Sequence, residues 1–255
     1  MNYCCFIKED NISQIIKENI ISKLESKGWL YTKEDPKIII TIGGDGTVLA
    51  AASKYLDILE KVVFVGVHTG SLGFFNDFEV KEVDNLIELI TTQKPIIERK
   101  RLVKATFNNK VYHALNEIRI ENNIRTQVLD VKIDDQYFET FRGAGLCFST
   151  QAGSTAYNRS INGAILDTKL QTWQLSEIIP IKNMHYRTIG TSIVLNPDRV
   201  IEITSLDFKD SVLAYDHLYV KIQDGDKIIC TLSEKYLNFA NYKDIDYYTK
   251  LKTLF

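Results

Sequence analysis

The sequence predicts an α/β fold with two parts: an N-terminal domain of alternating strands and helices, and a C-terminal domain that is mainly antiparallel sheet. Up to about Pro95, apolar strands without alternation are separated by amphipathic helices, which is typical of a parallel sheet covered on both faces. After Pro95, short runs rich in β-branched and aromatic residues are separated by turn pairs, Asn108-Asn109, Asp134-Asp135 and Asp224-Gly225. With 255 residues, 45% of them hydrophobic, the chain can bury a stable core as one large domain or two modest ones.

In the part of the chain before Pro95, the sequence predicts three strands, each followed by a helix. "NYCCFI" is a short strand, "KIIITI" leads into a glycine turn, and "VVFVGV" is the third strand. The helix predicted over residues 10–28 ends at Gly28 and has on one face Ile12, Ile15, Ile16, Ile20 and Leu24. The second predicted helix has an apolar face made of Val48, Leu49, Ala52, Leu56 and Leu59. The apolar face of the third is made of Val83, Leu86, Ile87 and Ile90.

One helical passage interrupts the β-rich part. It is predicted over about residues 154–179, because "LQTWQLSEII" has helical spacing and Pro180 would end the helix. The tail "YKDIDYYTKLKTLF" is aromatic, so we expect it to pack onto a domain rather than to be disordered.

Charge and composition exclude several classes. The net charge is -2 and the pI is about 6.1, so the protein lacks the positive electrostatic field of a nucleic-acid binder. The short basic run Arg99-Lys100-Arg101 is interpreted as a solvated strand edge. No apolar stretch approaches the ~18 residues of a membrane span, so we expect a soluble cytoplasmic protein without membrane partners. The cysteines lack C-x-x-C spacing and the histidines lack H-E-x-x-H, which predicts buried, reduced thiols and no protein-bound metal.

The glycine turn in "IIITIGGDGTVLAAA" is the strongest chemical signal. It matches neither G-x-x-x-x-G-K-[ST] nor G-x-G-x-x-G. The amides of Gly43, Gly44, Gly46 and Thr47, at a helix N-terminus, can still bind the phosphates of ATP. Asp45 would repel phosphate, so we expect it to accept a proton from an attacking hydroxyl or to help bind Mg²⁺. The alternative is that Asp45 caps a helix beginning near Thr47.

The sequence "GGDGT" followed by "VLAAA" resembles the signature of NAD kinases. The pentapeptide also occurs in diacylglycerol and sphingosine kinases and, loosely, in phosphofructokinases. Three later segments favour NAD kinases, namely "VHTGSLGFF", "LNEI" and "GSTAYNRSINGAI". Together with "YRTIGTSIVL" and "AYDHL", they extend the resemblance over nearly the whole chain.

The resemblance implies transfer of the γ-phosphate of ATP to the 2′-hydroxyl of the adenosine ribose of NAD, with Asp45 as catalytic base and Mg²⁺ arriving with the nucleotide. It implies a Rossmann-like α/β domain over residues 1–98, completed by the tail 236–255, and a β-rich NAD-binding domain over residues 99–235. It also implies assembly as a homodimer or homotetramer.

The resemblance assigns NAD binding to Gly46, Phe74, Asn116, Glu117, Ala152, Thr155, Ala156, Tyr157, Ser160 and His217. Asn116 and Glu117 offer the donor and acceptors that suit adenine and ribose, and Tyr157 offers an aromatic face and a hydroxyl. Alternatively, Asn116 and Glu117 are exposed positions of an alternating strand, and Tyr157 is buried behind a helix capped by Ser154 or Thr155. A lone histidine such as His217 is more often structural.

Two segments depart from the family pattern. Arg142-Gly143-Ala144-Gly145 replaces R-G-D-G, and Ser149-Thr150-Gln151-Ala152-Gly153 replaces S-T-P-[ST]-G. Both changes leave Asp45 intact but put NAD affinity in question. Two other functions therefore stay open: a non-catalytic dinucleotide sensor, and a kinase for a lipid or sugar acceptor.

Overall fold

The computed structural model describes residues 1–185 and 187–255. These residues form two compact units, the first made of residues 1–100 and 236–255 and the second of residues 101–235. The first is mixed α/β and the second is β-rich, so the predicted fold class is confirmed.

The N-terminal part of the first unit alternates strands and helices. In chain order its elements are β1 (Asn2–Ile7), α1 (Asn11–Ser26), β2 (Leu30–Tyr31), β3 (Ile38–Ile42), α2 (Asp45–Lys54), β4 (Val63–His68), β5 (Phe78–Glu79) and α3 (Val83–Thr92). The sheet order is β2-β1-β3-β4, with β5 on the far side of β4, and every pairing is parallel. All five residues of β3 are buried, as expected for a strand covered on both faces.

The apolar face of α1 is narrower than the sequence predicts. Ile16, Ile20 and Leu24 are buried against the sheet, but Ile12 and Ile15 are exposed, so their predicted inward position is wrong. The apolar spacing of α1 does not explain this difference, because Ser13, next to Ile12 in the first turn, is buried. The side chain of Asp10 caps α1 by accepting a hydrogen bond from the Ser13 amide at 2.8 Å.

The second unit is mainly antiparallel. In chain order its elements are β6 (Ile96–Phe107), β7 (Lys110–Ala114), β8 (Glu117–Glu121), β9 (Gln127–Ile133), β10 (Gln136–Thr150), α4 (Tyr157–Ser160), β11 (Trp173–Pro180), β12 (Ile193–Leu195), β13 (Val200–Thr204), β14 (Val212–Tyr215), β15 (Leu218–Lys221) and β16 (Lys227–Asn241). The start of β6 and the end of β16 belong to the first unit. β10 is central and pairs antiparallel with β8, β9 and β11. Its apolar core includes Phe141, Phe148 and Trp173.

Turn chemistry explains two of the hairpins. Asn108 and Asn109 both have positive φ, as do Asp134 and Asp135, and each pair joins two antiparallel strands. Asn and Asp tolerate this left-handed conformation better than other non-glycine residues. The predicted turn pairs are therefore confirmed.

The helix predicted over residues 154–179 is wrong. Residues 152–155 form a single 3₁₀ turn, α4 covers only Tyr157–Ser160, and "WQLSEIIP" is strand β11. The first six residues of β11 are buried, and β11 is an inner strand that pairs with β10 on one side and β12 on the other. A strand buried on both faces shows no alternation, so its apolar spacing also fits a helix.

The C-terminal tail completes the first unit. Phe239, near the end of β16, pairs in parallel register with Phe64 of β4, and the last helix is α5 (Tyr247–Leu254). The four cysteines are free and buried, as predicted. Within the described part of the chain, no helix has the length and apolar character needed to cross a membrane.

Candidate active site

The glycine turn connects β3 directly to α2. Gly44 is the N-cap of α2, and Asp45 is its first residue. Gly43 has φ +152, and a Cβ there would overlap the Thr47 hydroxyl, so the turn requires glycine at this position. Asp45 does not cap the helix, which makes that alternative wrong: the N-cap has no side-chain hydrogen bond, and the Asp45 carboxylate has other partners.

Three donors from one short segment fix the Asp45 carboxylate. The Phe74 amide donates to Oδ2 at 2.9 Å, and the Phe75 amide donates to Oδ1 at 3.1 Å. The Asn76 side-chain amide also donates to Oδ1 at 3.1 Å. Gly73 packs so closely that a Cβ there would overlap the carboxylate. Asp45 is therefore held as an oriented acceptor next to the glycine turn.

A cavity of about 500 Å³ lies over the N-terminus of α2. Its lining residues are Lys8, Asp10, Ile12, Gly44, Gly46, Thr47, Thr69, Gly70 and Ser71. Three of the four predicted phosphate-binding residues thus line it, whereas Gly43 does not. Free amides at a helix N-terminus attract anions. Lys8, which forms an ion pair with Asp10 at 3.3 Å, adds a cation at the rim.

In the second unit, the segment from Leu115 to Glu117 is fixed through its backbone. The Asp216 carboxylate accepts hydrogen bonds from the amides of Leu115 and Asn116, both at 2.8 Å, and from that of Glu117 at 3.4 Å. On the opposite side, the Thr150 hydroxyl donates to the Leu115 carbonyl at 2.6 Å, and the Thr150 amide donates to the Asn116 carbonyl at 2.9 Å.

The side chains of this segment are buried but unsatisfied. Asn116 is 9% exposed and Glu117 is 6% exposed, so the alternative that they are exposed strand positions is wrong. Asn116 Oδ1 and Glu117 Oε2 have no hydrogen-bond partner. A buried polar atom without a partner costs about 1–3 kcal/mol, and a bound ligand can recover that cost.

Burial also changes the acidity of the two carboxyl groups here. Burial first, and then the nearby Asp216 carboxylate, raises the pKa of Glu117 to about 8, while Arg119 opposes the shift. Burial raises the pKa of Asp216 to about 6, although the three backbone amides that it accepts from lower it. Buried carboxyl groups with shifted pKa values are common at binding sites.

The turn of residues 152–155 packs directly on this segment. A Cβ on Gly153 would overlap the Asn116 carbonyl, so only glycine permits the approach. Neither Ser154 nor Thr155 caps α4, whose N-cap is Ala156, and that part of the alternative is wrong. Instead, Ser154 Oγ donates to the Gln151 carbonyl at 2.8 Å and accepts from the Leu166 amide at 3.1 Å.

Tyr157 and its neighbours are partly accessible. The Tyr157 ring is half-buried, with the Arg119 guanidinium 4.1 Å from its centroid. Ala152, Thr155 and Ala156 are also partly buried, and Ser160 is exposed.

His217 is exposed in the two-residue turn between β14 and β15. Its neighbour Asp216, in the segment "AYDHL", accepts hydrogen bonds from the backbone amides of Leu115, Asn116 and Glu117. Our set of site residues lacks Asp216, although this segment belongs to the family resemblance, and it also lacks Arg119, Gly73 and Asn76, which contact Tyr157 or Asp45.

The two departures from the family pattern take structural roles. The Ala144 carbonyl accepts hydrogen bonds from the Asn122 amide at 2.9 Å and from the Gln127 side chain at 3.0 Å. The Gln151 side chain donates to the Leu166 carbonyl at 3.5 Å. Across residues 1–185 and 187–255, no three His, Cys, Asp or Glu side chains are grouped as metal ligands.

A glycine turn that opens a helix after a parallel strand, beside a fixed carboxylate, defines a nucleotide-binding α/β protein. The ATP-NAD kinase N-terminal domain model matches residues 15–94, and the ATP-NAD kinase C-terminal domain model matches residues 109–242. The chain belongs to the ATP-NAD kinase family of enzymes.

Full-length relatives agree with this assignment. The chain is 35% identical to NAD kinase 1 of Listeria monocytogenes serovar 1/2a, covering 100% of this chain and 99% of the relative. It is 37% identical to the NAD kinase of Staphylococcus carnosus, covering 100% and 97%. It is 34% identical to NAD kinase 1 of Bacillus subtilis, covering 100% and 98%.

Solved structures share the fold. A yeast NADH kinase complexed with NADH has a TM-score of 0.85 at 18% identity, covering 100% of this chain and 87% of that one. An NAD kinase from Archaeoglobus fulgidus in complex with ATP has a TM-score of 0.74 at 21% identity, covering 95% and 94%.

Proposed function

We propose that this protein is an ATP-dependent NAD kinase, which transfers the γ-phosphoryl group of ATP to the 2′-hydroxyl of the adenosine ribose of NAD and releases NADP and ADP. Family membership and the full-length relatives support the reaction. The observation that most directly supports this reaction is that three hydrogen-bond donors orient the Asp45 carboxylate beside the glycine turn.

In the proposed reaction, Asp45 accepts the proton of the 2′-hydroxyl as its oxygen attacks the γ-phosphorus in line. The new bond joins the ribose oxygen to the γ-phosphorus, and the bond from phosphorus to the β,γ-bridging oxygen breaks, so that ADP leaves. Gly44, Gly46 and Thr47 bind the phosphates of ATP, with Gly43 shaping the turn. The amide donors are those of Gly44 and Gly46, because the Thr47 amide already donates to the Gly44 carbonyl at 2.9 Å and the Gly43 amide to the Val67 carbonyl at 2.9 Å. Catalysis rests mainly on positioning and on electrostatic stabilisation.

Asn116 and Glu117 bind the adenosine of NAD in this proposal, because their unpartnered oxygens are acceptors for the adenine amino group and a ribose hydroxyl. Tyr157 offers its ring to a flat ligand. The remaining residues that we assign to NAD by family resemblance are Gly46, Phe74, Ala152, Thr155, Ala156, Ser160 and His217.

Mg²⁺ fits as a partner of the nucleotide rather than as a protein-bound ion. The described residues offer no cluster of three ligands, and Asp45 already accepts three hydrogen bonds. Triphosphate oxygens and water would supply most ligands of the ion. When bound, Mg²⁺ neutralises charge on the transferred phosphoryl group.

The proposal includes a cytoplasmic location and assembly as a homodimer or homotetramer. Four free, buried cysteines support a reducing compartment. Family resemblance supports the assembly, and sedimentation equilibrium of the purified chain tests it.

One assay tests the reaction. The protein is incubated with ATP and Mg²⁺ and with NAD, a lipid panel or a sugar panel, and NADP formation is measured. We expect NADP only with NAD, and none after chelation of the metal. NAD binding without product would instead indicate a dinucleotide sensor, and product only from another acceptor would indicate a lipid or sugar kinase.

A further inference from the structure

The C-terminal tail contacts the same short segment that fixes Asp45. Residues 74–78 supply the two backbone amides that donate to the Asp45 carboxylate. Two lysines and three aromatic residues from positions 239–255 bind or pack on this segment. The tail is far from Asp45 in sequence, and neither the motifs nor the family resemblance gives it a role in the reaction.

Lys250 of α5 makes the most direct contact. Its Nζ donates to the Phe74 carbonyl at 3.2 Å and to the Asp77 carboxylate, and its side chain is only 13% exposed. The Phe74 carbonyl belongs to the same planar peptide unit as the Phe75 amide, which donates to Asp45 Oδ1. One rigid peptide group therefore joins the lysine to the carboxylate, and hydrogen bonds at its two ends polarise each other.

Neighbouring contacts support this peptide group. The Phe74 ring lies 6.4 Å from the Tyr247 ring and 5.8 Å from the Phe255 ring, measured between centroids. The Phe75 ring stacks on Phe239 at 5.5 Å with an interplanar angle of 7°. The segment is thus held by both its side chains and its backbone.

A second lysine fixes the other end of the segment. Lys243 Nζ donates to the Asp77 carbonyl at 2.7 Å and to Glu82 Oε2 at 2.7 Å, and it lies 4.4 Å from the centroid of the Phe78 ring. Lysine side chains that are largely withdrawn from water and bonded on both sides are ordered, unlike most surface lysines.

We propose that Lys250 is a positioning residue for phosphoryl transfer, acting through the Phe74–Phe75 peptide group to aim the Asp45 carboxylate. The proposal rests on the role of Asp45 given above. It gives the helix α5 a role in catalysis that acts through the peptide group rather than through the reacting atoms.

The test compares Lys250→Met with two matched variants of the same helix. Lys250→Met keeps the aliphatic stem but removes the donor, Lys250→Arg keeps a donor, and Lys252→Met makes the same change at an exposed lysine. We expect Lys250→Met to lower kcat roughly tenfold with little change in the KM for NAD, because a misplaced catalytic group costs up to about 100-fold. The other two variants should stay close to the unmodified protein.

Two further readouts separate positioning from general loss of structure. In an Asp45→Asn background, Lys250→Met should cause no additional loss of kcat, since both changes act on one group. Hydrogen exchange at the Phe75 amide should be faster in Lys250→Met than in Lys252→Met, and this measurement does not require activity.

Equal kcat in Lys250→Met and Lys252→Met would overturn the proposal, as would an undiminished effect in the Asp45→Asn background. Equal exchange at the Phe75 amide would show that Lys250 does not hold the peptide group. These results are distinct from failure of the proposed function, in which the unmodified protein forms no NADP from NAD.

Discussion

Asp45 in the first unit and the Asn116–Glu117 pair in the second are held in different ways. At Asp45 the fold fixes the side chain itself, through the Phe74 and Phe75 amides and Asn76. At Asn116 and Glu117 the fold fixes the backbone and leaves one oxygen of each side chain without a partner.

This difference matches what each group has to do. A base must be oriented before the reaction, since reorganising it during the reaction would cost free energy. A ligand-binding group must keep capacity for the ligand, and the cost of about 1–3 kcal/mol for each unpartnered atom is recovered when the ligand arrives. In the proposed reaction, therefore, the side chain whose hydrogen bonds are satisfied is the base, and the side chains with unpartnered oxygens bind the ligand.

The largest expected effect is at Asp45 itself. Asp45→Asn keeps the shape but removes the base, so kcat for NADP formation should fall about 100- to 10,000-fold. The KM for NAD should change little, and circular dichroism should show the fold retained. An unchanged kcat would remove Asp45 from the mechanism.

The next effect tests how tightly Asp45 must be held. In Gly73→Ala the new methyl group would overlap the carboxylate, and kcat should fall by about 10- to 100-fold. Val80→Ala is the comparison, because this side chain is exposed and lies outside the lining of the cavity over α2, and a much smaller decrease is expected. Equal losses in both variants would show that the orientation of Asp45 is unimportant.

A smaller effect is expected at Asn116, which we propose binds the adenosine of NAD. Asn116→Ala should raise the KM for NAD about tenfold, which corresponds to one neutral hydrogen bond of about 1.4 kcal/mol, and should change kcat much less. Steady-state kinetics at varied NAD concentrations measures KM and kcat separately and so checks this expectation. A loss confined to kcat would place Asn116 in the chemical step instead.

Glu117→Gln should have the smallest effect on turnover at neutral pH, because glutamine keeps an acceptor oxygen. Its effect on stability depends on pH. The raised pKa of Glu117, about 8 in the folded protein, means that the folded state retains a proton that the unfolded state releases near pH 4.5. The contribution of Glu117 to stability is therefore full below about pH 4.5 and is lost as the pH rises towards 8.

Urea unfolding between pH 5 and pH 9 measures this contribution. The free energy of unfolding of Glu117→Gln should fall less over this range than that of the unmodified protein. Parallel curves for the two proteins would mean that Glu117 is ionised in the folded state.

Local patterns in the sequence predict the parallel sheet, the glycine turn and the hairpin turns, since each depends on residues that are close in sequence. Strand β11 was missed because its burial on both faces removes the alternation that marks a strand, and that burial depends on residues distant in sequence. The apolar periodicity of α1 could not show that Ile12 and Ile15 are exposed.

The candidate site was predicted in part for the same reason. Asp45 and Asn116 belong to short motifs, but their supports come from elsewhere in the chain. Asp216 bonds backbone amides about a hundred residues earlier, and Lys250 bonds a carbonyl still further away in sequence. Pairings of that kind depend on the tertiary structure and leave no local signature.

Because the first unit is built from two segments that are distant in sequence, its assembly must wait until residues 236–255 have been synthesised. Residues 1–100 leave the ribosome long before residues 236–255, whereas residues 101–235 are contiguous and can fold as they emerge. Until residues 236–255 have emerged, β4 lacks its partner strand at Phe239 and the Phe74 ring lacks Phe255. A stop codon that removes residues 236–255 would therefore damage the unit that contains residues 1–100 rather than the unit of residues 101–235.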